Sequence, residues 1–330
     1  MANVIYPKTF NTGPPNNIVV PRLDWDRPPW NRWAFHHIRE LLPTTEVWRG
    51  PHVVSPLPQA LKNLDGLLVR GTTGEDMRLD DFLSASFTDG FIVLHKGHLI
   101  YERYFEGMTA RSLHLSQSVA KSFTGALVGI FVGRGILDVA APMTRYLPEL
   151  ADTAWAGATL QQVLDMTTGV CFDETYTDRY SDIGQMDVAT GWKPIPPDSD
   201  PHFKWPADVW SQILGLKQST RAHGAAFEYR SVETDVLAFA MERVTGKRLA
   251  QILSEEIWQK MGAEENACYT VDAAGYALAD GGLNACLQDY ARFGQLILTG
   301  GGDLVPVAWI EATRNANHQM FGAPYDTVLD

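Results

Sequence analysis

The alternation of apolar and polar residues predicts a sheet in the first third of the chain. FIVLHKGHLIYERYF, residues 91–105, alternates on both sides of Lys96-Gly97, as two strands joined by a tight hairpin would. Before it, PRLDWDRPPWNRWAFHHIRELLPT is rich in proline and tryptophan, and its second half has the apolar spacing of a short helix ending at Pro43. We therefore expect residues 1–60 to form an arm that is held on by its aromatic side chains.

Apolar residues at helical spacing dominate the rest of the chain. The stretch 118–135 predicts a helix that follows the strands, and ATLQQVLDMTTGV predicts a helix running to Gly169 as its C-cap. AAFEYRS reads as a short strand leading into a helix closed by Gly246, and GGLNACLQDYARFGQLILTGGG as a helix bracketed by glycines. Strands followed by many helices indicate an α+β fold, in which helices partly cover a sheet that joins a mostly helical lobe.

Between Cys171 and Pro206 the apolar residues show neither helical nor strand periodicity, and acidic residues, prolines and aromatics are mixed. A stretch this long without regular structure inside a compact domain is usually functional or disordered. Its aromatic residues favour a function.

Composition narrows the class of partner. The 330 residues suit one large domain or two lobes sharing a site. A formal net charge of -12 argues against nucleic acid and membrane as partners, since both would repel such a surface. Cys171, Cys268 and Cys286 are far apart and lack metal-ligand spacing, so neither a disulfide framework nor a zinc site is indicated. Because the first residues lack a signal-peptide pattern, we expect a cytoplasmic location.

The candidate chemistry begins at Ser118 and Lys121. Residues three apart share a helix face, so the lysine amine can reach the serine hydroxyl. Serine is a weak nucleophile that needs a base, and a lysine serves if burial and the helix dipole keep it neutral. A chance Ser-x-x-Lys is expected in about one chain in three of this composition. However, lysine is rare inside an apolar helix unless it is paired or functional.

A third candidate is Tyr229, which we place at the end of the short strand, directly before a helix. A phenol there could relay a proton between Ser118, Lys121 and a leaving group. Alternatively, Tyr229 is a packed aromatic. The chain contains no Gly-x-Ser-x-Gly elbow, His-Glu-x-x-His or P-loop.

Several motifs in order carry a family resemblance. SVAK at 118–121, LDMTTGV at 164–170, YRS at 229–231 and ADGGLNACLQDYARFGQLIL at 279–298 together resemble the penicillin-recognising serine hydrolases. That superfamily includes class C β-lactamases. Within it, PPWNRWAFHHIRELLPT, VLDMTTGV and TDVLAFAMERVTG look like the 6-aminohexanoate-dimer hydrolases, and the resemblance runs from about residue 25 to about residue 315.

The resemblance implies a β-lactamase/transpeptidase-like α+β fold over residues 61–330. Its α/β part would cover about 61–120 and 285–330, and its helical lobe about 121–284. The resemblance also makes Ser118 the acylated nucleophile, Lys121 its general base and Tyr229 the third catalytic residue.

Substrate contacts are implied in the same way. Tyr176 and Trp192 match loop positions that close over a linear amide. Asp187 and Asp280 are placed to pair with an ammonium at the far end of an aminohexanoyl substrate, although both could instead be solvated loop acids. Ser231 stands where many relatives have the asparagine of Tyr-x-Asn, the residue that usually contacts the substrate amide.

One departure concerns the end of the domain. The family continues with strands carrying a Lys-Thr-Gly or His-x-Gly motif, and no such motif follows Tyr229 here. We therefore expect the C-terminal strands of the usual domain to be missing. Either the chain is a fragment or something else completes the sheet, such as a second chain in a homodimer.

These observations predict a serine hydrolase of linear amides or esters that acts through an acyl-enzyme. The substrate is a small molecule, and neither a metal nor an organic cofactor is required. A carboxylesterase or β-lactamase-like enzyme of the same fold is an alternative within the class. A catalytically inactive relative that acts as a binding module is an alternative outside it.

Overall fold

The computed structural model describes residues 20–71 and 74–315. It has the α+β architecture predicted from the sequence. The strands are β1 (Thr44–Val47), β2 (Leu68–Arg70), β3 (Asp76–Arg78), β4 (Gly90–His95), β5 (His98–Tyr104), β6 (Leu113–Leu115), β7 (Ala267–Thr270) and β8 (Leu283–Cys286). The helices are α1 (Asn31–Ala34), α2 (Ile38–Leu41), α3 (Leu79–Ala85), α4 (Ala120–Gly133), α5 (Leu160–Leu164), α6 (Asp182–Ala189), α7 (Val209–Gly215), α8 (Val232–Thr245), α9 (Leu249–Leu253), α10 (Leu287–Leu298) and α11 (Val307–Arg314).

The sheet nearest the candidate site has four strands in the order β1-β7-β8-β6. All neighbours are antiparallel, with Thr44 opposite Thr270 and Leu113 opposite Cys286. Strand β7 is fully buried along its length, so its Ala-Cys-Tyr-Thr sequence lacks the polar alternation of a half-exposed strand. This explains why hydrophobic periodicity does not identify it.

The predicted hairpin is confirmed as β4 and β5. Lys96 and Gly97 connect the strands, and both have positive φ angles, 51° and 78°. Two left-handed residues in a two-residue loop match the right-handed twist of the strands that they join. A register shift between Val93 and Leu94 bends the hairpin.

Helix α4 lies in the middle of the core and confirms the prediction for residues 118–135. Nine of its fourteen residues are buried, and it packs on α8 and α9. The Phe123 ring stacks on that of Phe293 in α10, with centroids 3.7 Å apart. A helix that is apolar on most sides is stable only when it is surrounded, so α4 gives its first turn a rigid support.

The helix predicted to run to Gly169 ends earlier, and that prediction is wrong. Helix α5 stops at Leu164, and Met166 has a φ of 50°, which turns the chain out of the helix. Gly169 is not a C-cap: a Cβ there would lie 1.8 Å from the backbone oxygen of Arg221. It allows two backbone segments to approach closely.

Of four further predictions, one is confirmed and three are wrong in part. Helix α8 ends at Gly246 as expected, with a φ of 66° and its N–H bonded to Glu242. The residues before Tyr229 do not form a strand, and GGLNAC enters β8 rather than a helix. Within the predicted irregular loop, α6 forms behind Ser181, whose hydroxyl accepts the Gly184 N–H.

The described part of the arm is held by aromatics, as predicted. Trp25 is 0% exposed, its ring lies edge-on to Trp192 at 5.3 Å, and its indole N–H donates to the Trp192 carbonyl at 2.8 Å. Residues 1–19 and 316–330 lie outside the described residues. The division into arm, α/β part and helical lobe stays a prediction; β1 lies within the predicted arm, and β7 within the predicted helical lobe. No helix in the described ranges has the length and apolar character needed to cross a membrane.

Candidate active site

Ser118 lies on a short turn between a strand and the central helix. Strand β6 ends at Leu115, residues Gln117–Val119 form one 3-10 turn, and α4 follows directly. The Ser116 N–H donates to the Leu283 carbonyl at 2.8 Å, which ties the turn to β8. Gln117 has a φ of 48°, a left-handed conformation that is costly for a residue with a Cβ. Such strain concentrates at functional sites.

The three predicted catalytic residues meet at one oxygen. The Lys121 Nζ donates to Ser118 Oγ at 3.1 Å, and the Tyr229 hydroxyl donates to the same Oγ at 2.8 Å. Lys121 Nζ also donates to the Asp280 carbonyl at 2.8 Å and lies 5.2 Å from the centroid of the Tyr229 ring. The hydroxyl therefore has two proton-carrying neighbours within hydrogen-bond distance.

The charge of Lys121 differs from the sequence expectation. Burial favours the neutral amine, as expected. The Asp280 carboxylate, with Oδ2 3.7 Å from Nζ, and Tyr229 outweigh it, so the pKa of Lys121 is raised rather than lowered. The ammonium is consequently the resting form at neutral pH.

A cavity of about 370 Å³ opens onto Ser118. All four residues predicted to contact the substrate line it: Tyr176, Asp187, Trp192 and Asp280. The structure thus brings the loop and the catalytic turn together. A larger cavity of about 440 Å³ lies beside Asp89 and His114, and Ser118, Lys121 and Tyr229 do not line it.

The four lining residues differ in their availability to a ligand. Trp192 is buried, and its indole N–H donates to Thr270 Oγ1 at 3.0 Å. Tyr176 is 62% exposed. Asp187 is already ion-paired, with Oδ2 2.8 Å from Lys193 Nζ. No group of three or more His, Cys, Asp and Glu side chains in the described ranges is arranged to hold a metal ion.

Residues 81–327 match the family model described as beta-lactamase. The chain belongs to the β-lactamase family. It is 37% identical over 299 residues to the 6-aminohexanoate-dimer hydrolase of Paenarthrobacter ureafaciens, covering 88% of this chain and 72% of that one.

Solved structures agree with this assignment. A provisionally assigned 6-aminohexanoate-dimer hydrolase from Bacillus anthracis is similar, with a TM-score of 0.85 and 32% identity over 94% of this chain and 80% of that one. An octameric penicillin-binding protein homologue from Pyrococcus abyssi shares the fold, with a TM-score of 0.55 and 16% identity over 74% of this chain and 59% of that one. The protein is thus a β-lactamase-fold serine hydrolase homologous to 6-aminohexanoate-dimer hydrolase.

In this β-lactamase-family site, Glu174 is a residue that sequence reasoning missed. Its carboxylate accepts the Ser231 hydroxyl at 2.6 Å, the Ser231 N–H at 3.1 Å and the Tyr176 hydroxyl at 2.6 Å. Ser231 therefore holds Glu174 at the start of α8, two residues after Tyr229. The carboxylate joins the exposed loop residue Tyr176 to the segment that contains Tyr229. Glu174 is one of several acidic residues in the stretch 171–206, and nothing in the sequence distinguishes it from the others.

Two further buried polar residues hold backbone next to the site, Asp235 at Ala279 and Arg230 at Thr168. Asp235 is buried, and its Oδ1 accepts the Ala279 N–H at 2.8 Å. Burial and then the charge of Asp280 raise the pKa of Asp235 well above its usual range. Arg230 is 1% exposed and donates to the Thr168 carbonyl at 2.9 Å. The latter contact fixes the backbone next to Tyr229.

Proposed function

We propose that this hydrolase cleaves linear amides of the 6-aminohexanoate oligomer type, or esters, through an acyl-enzyme on Ser118. The observation that carries the proposal is the convergence of Lys121 and Tyr229 on Ser118 Oγ at the wall of the 370 Å³ cavity. The named relatives support the substrate class. The same convergence weighs against an inactive binding module.

The reaction starts with the neutral form of Lys121. It takes the hydroxyl proton of Ser118 as Oγ attacks the carbonyl carbon, and a tetrahedral intermediate forms. Backbone N–H groups of the turn Gln117–Val119 and of the start of α4 are suited to its oxyanion, the Ser118 N–H first among them. Tyr229 then donates its proton to the leaving amine or alkoxide as the bond to the carbonyl carbon breaks, and it regains a proton from the Lys121 ammonium, which leaves Lys121 neutral again.

The second half of the reaction restores the enzyme. A water molecule gives a proton to the same basic groups and attacks the acyl carbonyl, and the Ser118 ester bond breaks with return of the proton to Oγ.

Three further predictions from the sequence are part of this proposal. They are an esterase or β-lactamase-like activity as the alternative, a cytoplasmic location and a homodimer.

Turnover by purified protein tests this proposal. The substrates are the linear dimer of 6-aminohexanoate and a 4-nitrophenyl ester, and the variants are Ser118→Ala and Ser122→Ala. Ser122 is exposed on the same helix, so its variant controls for loss of a hydroxyl near the site. We expect Ser118→Ala to lose about 10³-fold or more in kcat/KM, while Ser122→Ala keeps activity. Turnover of the dimer that survives in Ser118→Ala would exclude the mechanism.

A further inference from the structure

Asp235 holds the backbone segment that reaches Lys121. It lies in the first turn of α8 and is 1% exposed. Its Oδ1 accepts the Ala279 N–H at 2.8 Å. The Thr124 hydroxyl of α4 donates to the Ala279 carbonyl at 3.4 Å. The backbone at Ala279 is therefore held by α8 through its N–H and by α4 through its carbonyl.

Asp280, the next residue, contacts Lys121 twice. Its carbonyl accepts a hydrogen bond from Nζ at 2.8 Å, and its Oδ2 lies 3.7 Å from the same nitrogen. Asp235 is not one of the described residues that line the 370 Å³ cavity. Any effect of Asp235 on the reaction therefore passes through Ala279 and Asp280 to Lys121.

Two carboxyl groups and one ammonium share this buried region. Burial and then the charge of Asp280 raise the pKa of Asp235 well above its usual range, although Lys121 and the neighbouring backbone N–H groups oppose the shift. Tyr269 of β7 is also buried, and burial and then Asp235 raise the pKa of its phenol, which keeps it neutral. With a proton on Asp235, the charges of Asp280 and Lys121 balance. A second buried carboxylate charge without a cation of its own is thereby avoided.

The hydrogen bonds of Asp235 fit a neutral carboxylic acid. Oδ1 faces the Ala279 N–H, whereas Oδ2 is buried and no group of the described residues is in hydrogen-bond geometry with it. An ionised carboxylate would carry charge on this oxygen without a donor, which is costly in a buried site. A protonated Oδ2 avoids that cost.

We propose that Asp235 is a positioning residue of the reaction and that it acts as a neutral carboxylic acid. Its carbonyl oxygen holds the Ala279 N–H, and this keeps Asp280 against Lys121. The inference rests on the proposed acyl-enzyme function. It assigns the charge opposite Lys121 to Asp280, and the hydrogen bond that places Asp280 to Asp235.

Two substitutions separate the hydrogen bond of Asp235 from its charge. Asp235→Leu has a side chain of similar size that cannot accept a hydrogen bond, and Asp235→Asn keeps an acceptor oxygen without a charge. Values of kcat/KM with 4-nitrophenyl butyrate are measured against pH for the full chain. Because the neutral amine of Lys121 is the reactive form, the profile of the unaltered protein should have a limb that rises with pH.

Asp235→Leu should lower kcat/KM about tenfold or more, because the buried Ala279 N–H loses its acceptor. Its rising limb should move to lower pH, since Asp280 is no longer held against Lys121. Asp235→Asn should bring kcat/KM back to within about threefold of the unaltered protein. It should also return the limb to its original pH, because one neutral group replaces another.

Asp272 provides the matched control. It is 5% exposed, and its carboxylate accepts the Val209 N–H at 3.1 Å and the Tyr276 N–H at 2.9 Å. Like Asp235, it is a buried acid that holds backbone, but it holds no segment that contacts Lys121. Asp272→Leu, or Asp272→Asn if the first does not fold, should leave the rising limb at the pH of the unaltered protein.

The possible results decide each part of the proposal. A limb that moves to lower pH by about one unit or more in Asp235→Asn would show that Asp235 is charged, and would overturn the proposal. An Asp235→Leu limb that coincides with that of the unaltered protein would overturn the positioning role. If Asp235→Leu does not fold, the Asp235→Asn limb decides.

Infrared spectroscopy at neutral pH tests the protonation of Asp235 without reference to turnover. The C=O band of protonated carboxyl groups should be weaker in Asp235→Asn than in the unaltered protein, and an unchanged band would overturn the proposal. Absence of Ser118-dependent turnover of the ester would overturn the proposed function, and the infrared band would still decide whether Asp235 is neutral.

Discussion

The Asp280 carboxylate makes the largest contribution that raises the pKa of Lys121, followed by Tyr229. The sequence places the lysine one helical turn from Ser118 in apolar surroundings, and this alone predicts a neutral amine. Asp280 is 159 positions away in the chain, and its carboxylate 3.7 Å from Nζ, together with Tyr229, reverses the direction of the pKa shift that burial alone would give. The spacing of residues along the helix could therefore predict the Ser118–Lys121 contact. The charge of the lysine depends on residues that are distant in the sequence and are brought close only by the fold.

The pH profile of the enzyme tests this reversal. Because the pKa of Lys121 is raised and the neutral amine is the reactive form, kcat/KM should rise with pH. Asp280→Asn removes the charge that holds the proton, so the rising limb should move to lower pH by about one unit or more. Asp198→Asn is the control, since Asp198 is an exposed acid paired with Arg179. A limb that stays in place in Asp280→Asn would contradict the role of Asp280.

Among the secondary-structure elements, α4 can be predicted from its own sequence, whereas several elements that surround it cannot. Periodicity predicts α4, the β4–β5 hairpin and the end of α8. It does not predict the early end of α5. Met166 adopts a left-handed conformation there, and methionine is not a residue type that favours this conformation. It also does not predict β7, which is buried on both faces. Nor does it predict that Trp309 of α11 packs on α4, where its indole N–H donates to the Gly125 carbonyl at 3.1 Å.

Two glycines of α4 test that contact as a matched pair. A Cβ at Gly129 would lie 2.4 Å from the Trp309 ring, whereas a Cβ at Gly125 would meet nothing within 4 Å. Gly129→Ala should therefore lower the free energy of unfolding by about 1–3 kcal/mol. Gly125→Ala should raise it by up to about 1 kcal/mol, since alanine favours the helix. Urea unfolding measures both, and equal effects would exclude the packing of Trp309 on α4.

In the whole molecule, residues of the predicted arm line the cavity beside Ser118. Trp25 packs on Trp192, and Asp26 pairs with Lys193, so consecutive arm residues support the cavity wall. Strand β1 extends the sheet that holds the Ser118 turn through β7 and β8. The sequence predicts an arm clamped by aromatics. It could not predict that the arm supplies a charge to the site, because the pairing of Asp26 joins residues that are 167 positions apart.

Two tryptophans test the arm's contribution to stability. Trp25 is 0% exposed and Trp48 is 51% exposed. Trp25→Ala should lower the free energy of unfolding by about 3–5 kcal/mol, as expected for a fully buried aromatic side chain. Trp48→Ala should change it by about 0.5 kcal/mol or less. Comparable losses in urea unfolding would contradict the docking of the arm.

The central claim is that Ser118 is the nucleophile of this β-lactamase-family hydrolase. Intact-mass spectrometry after treatment of the folded chain with a fluorophosphonate probe, followed by peptide mapping, tests it most directly. The structure predicts one adduct, located on Ser118, that persists in Ser122→Ala and is absent from Ser118→Ala. A folded chain that takes up no probe, or an adduct that persists in Ser118→Ala, would contradict the claim.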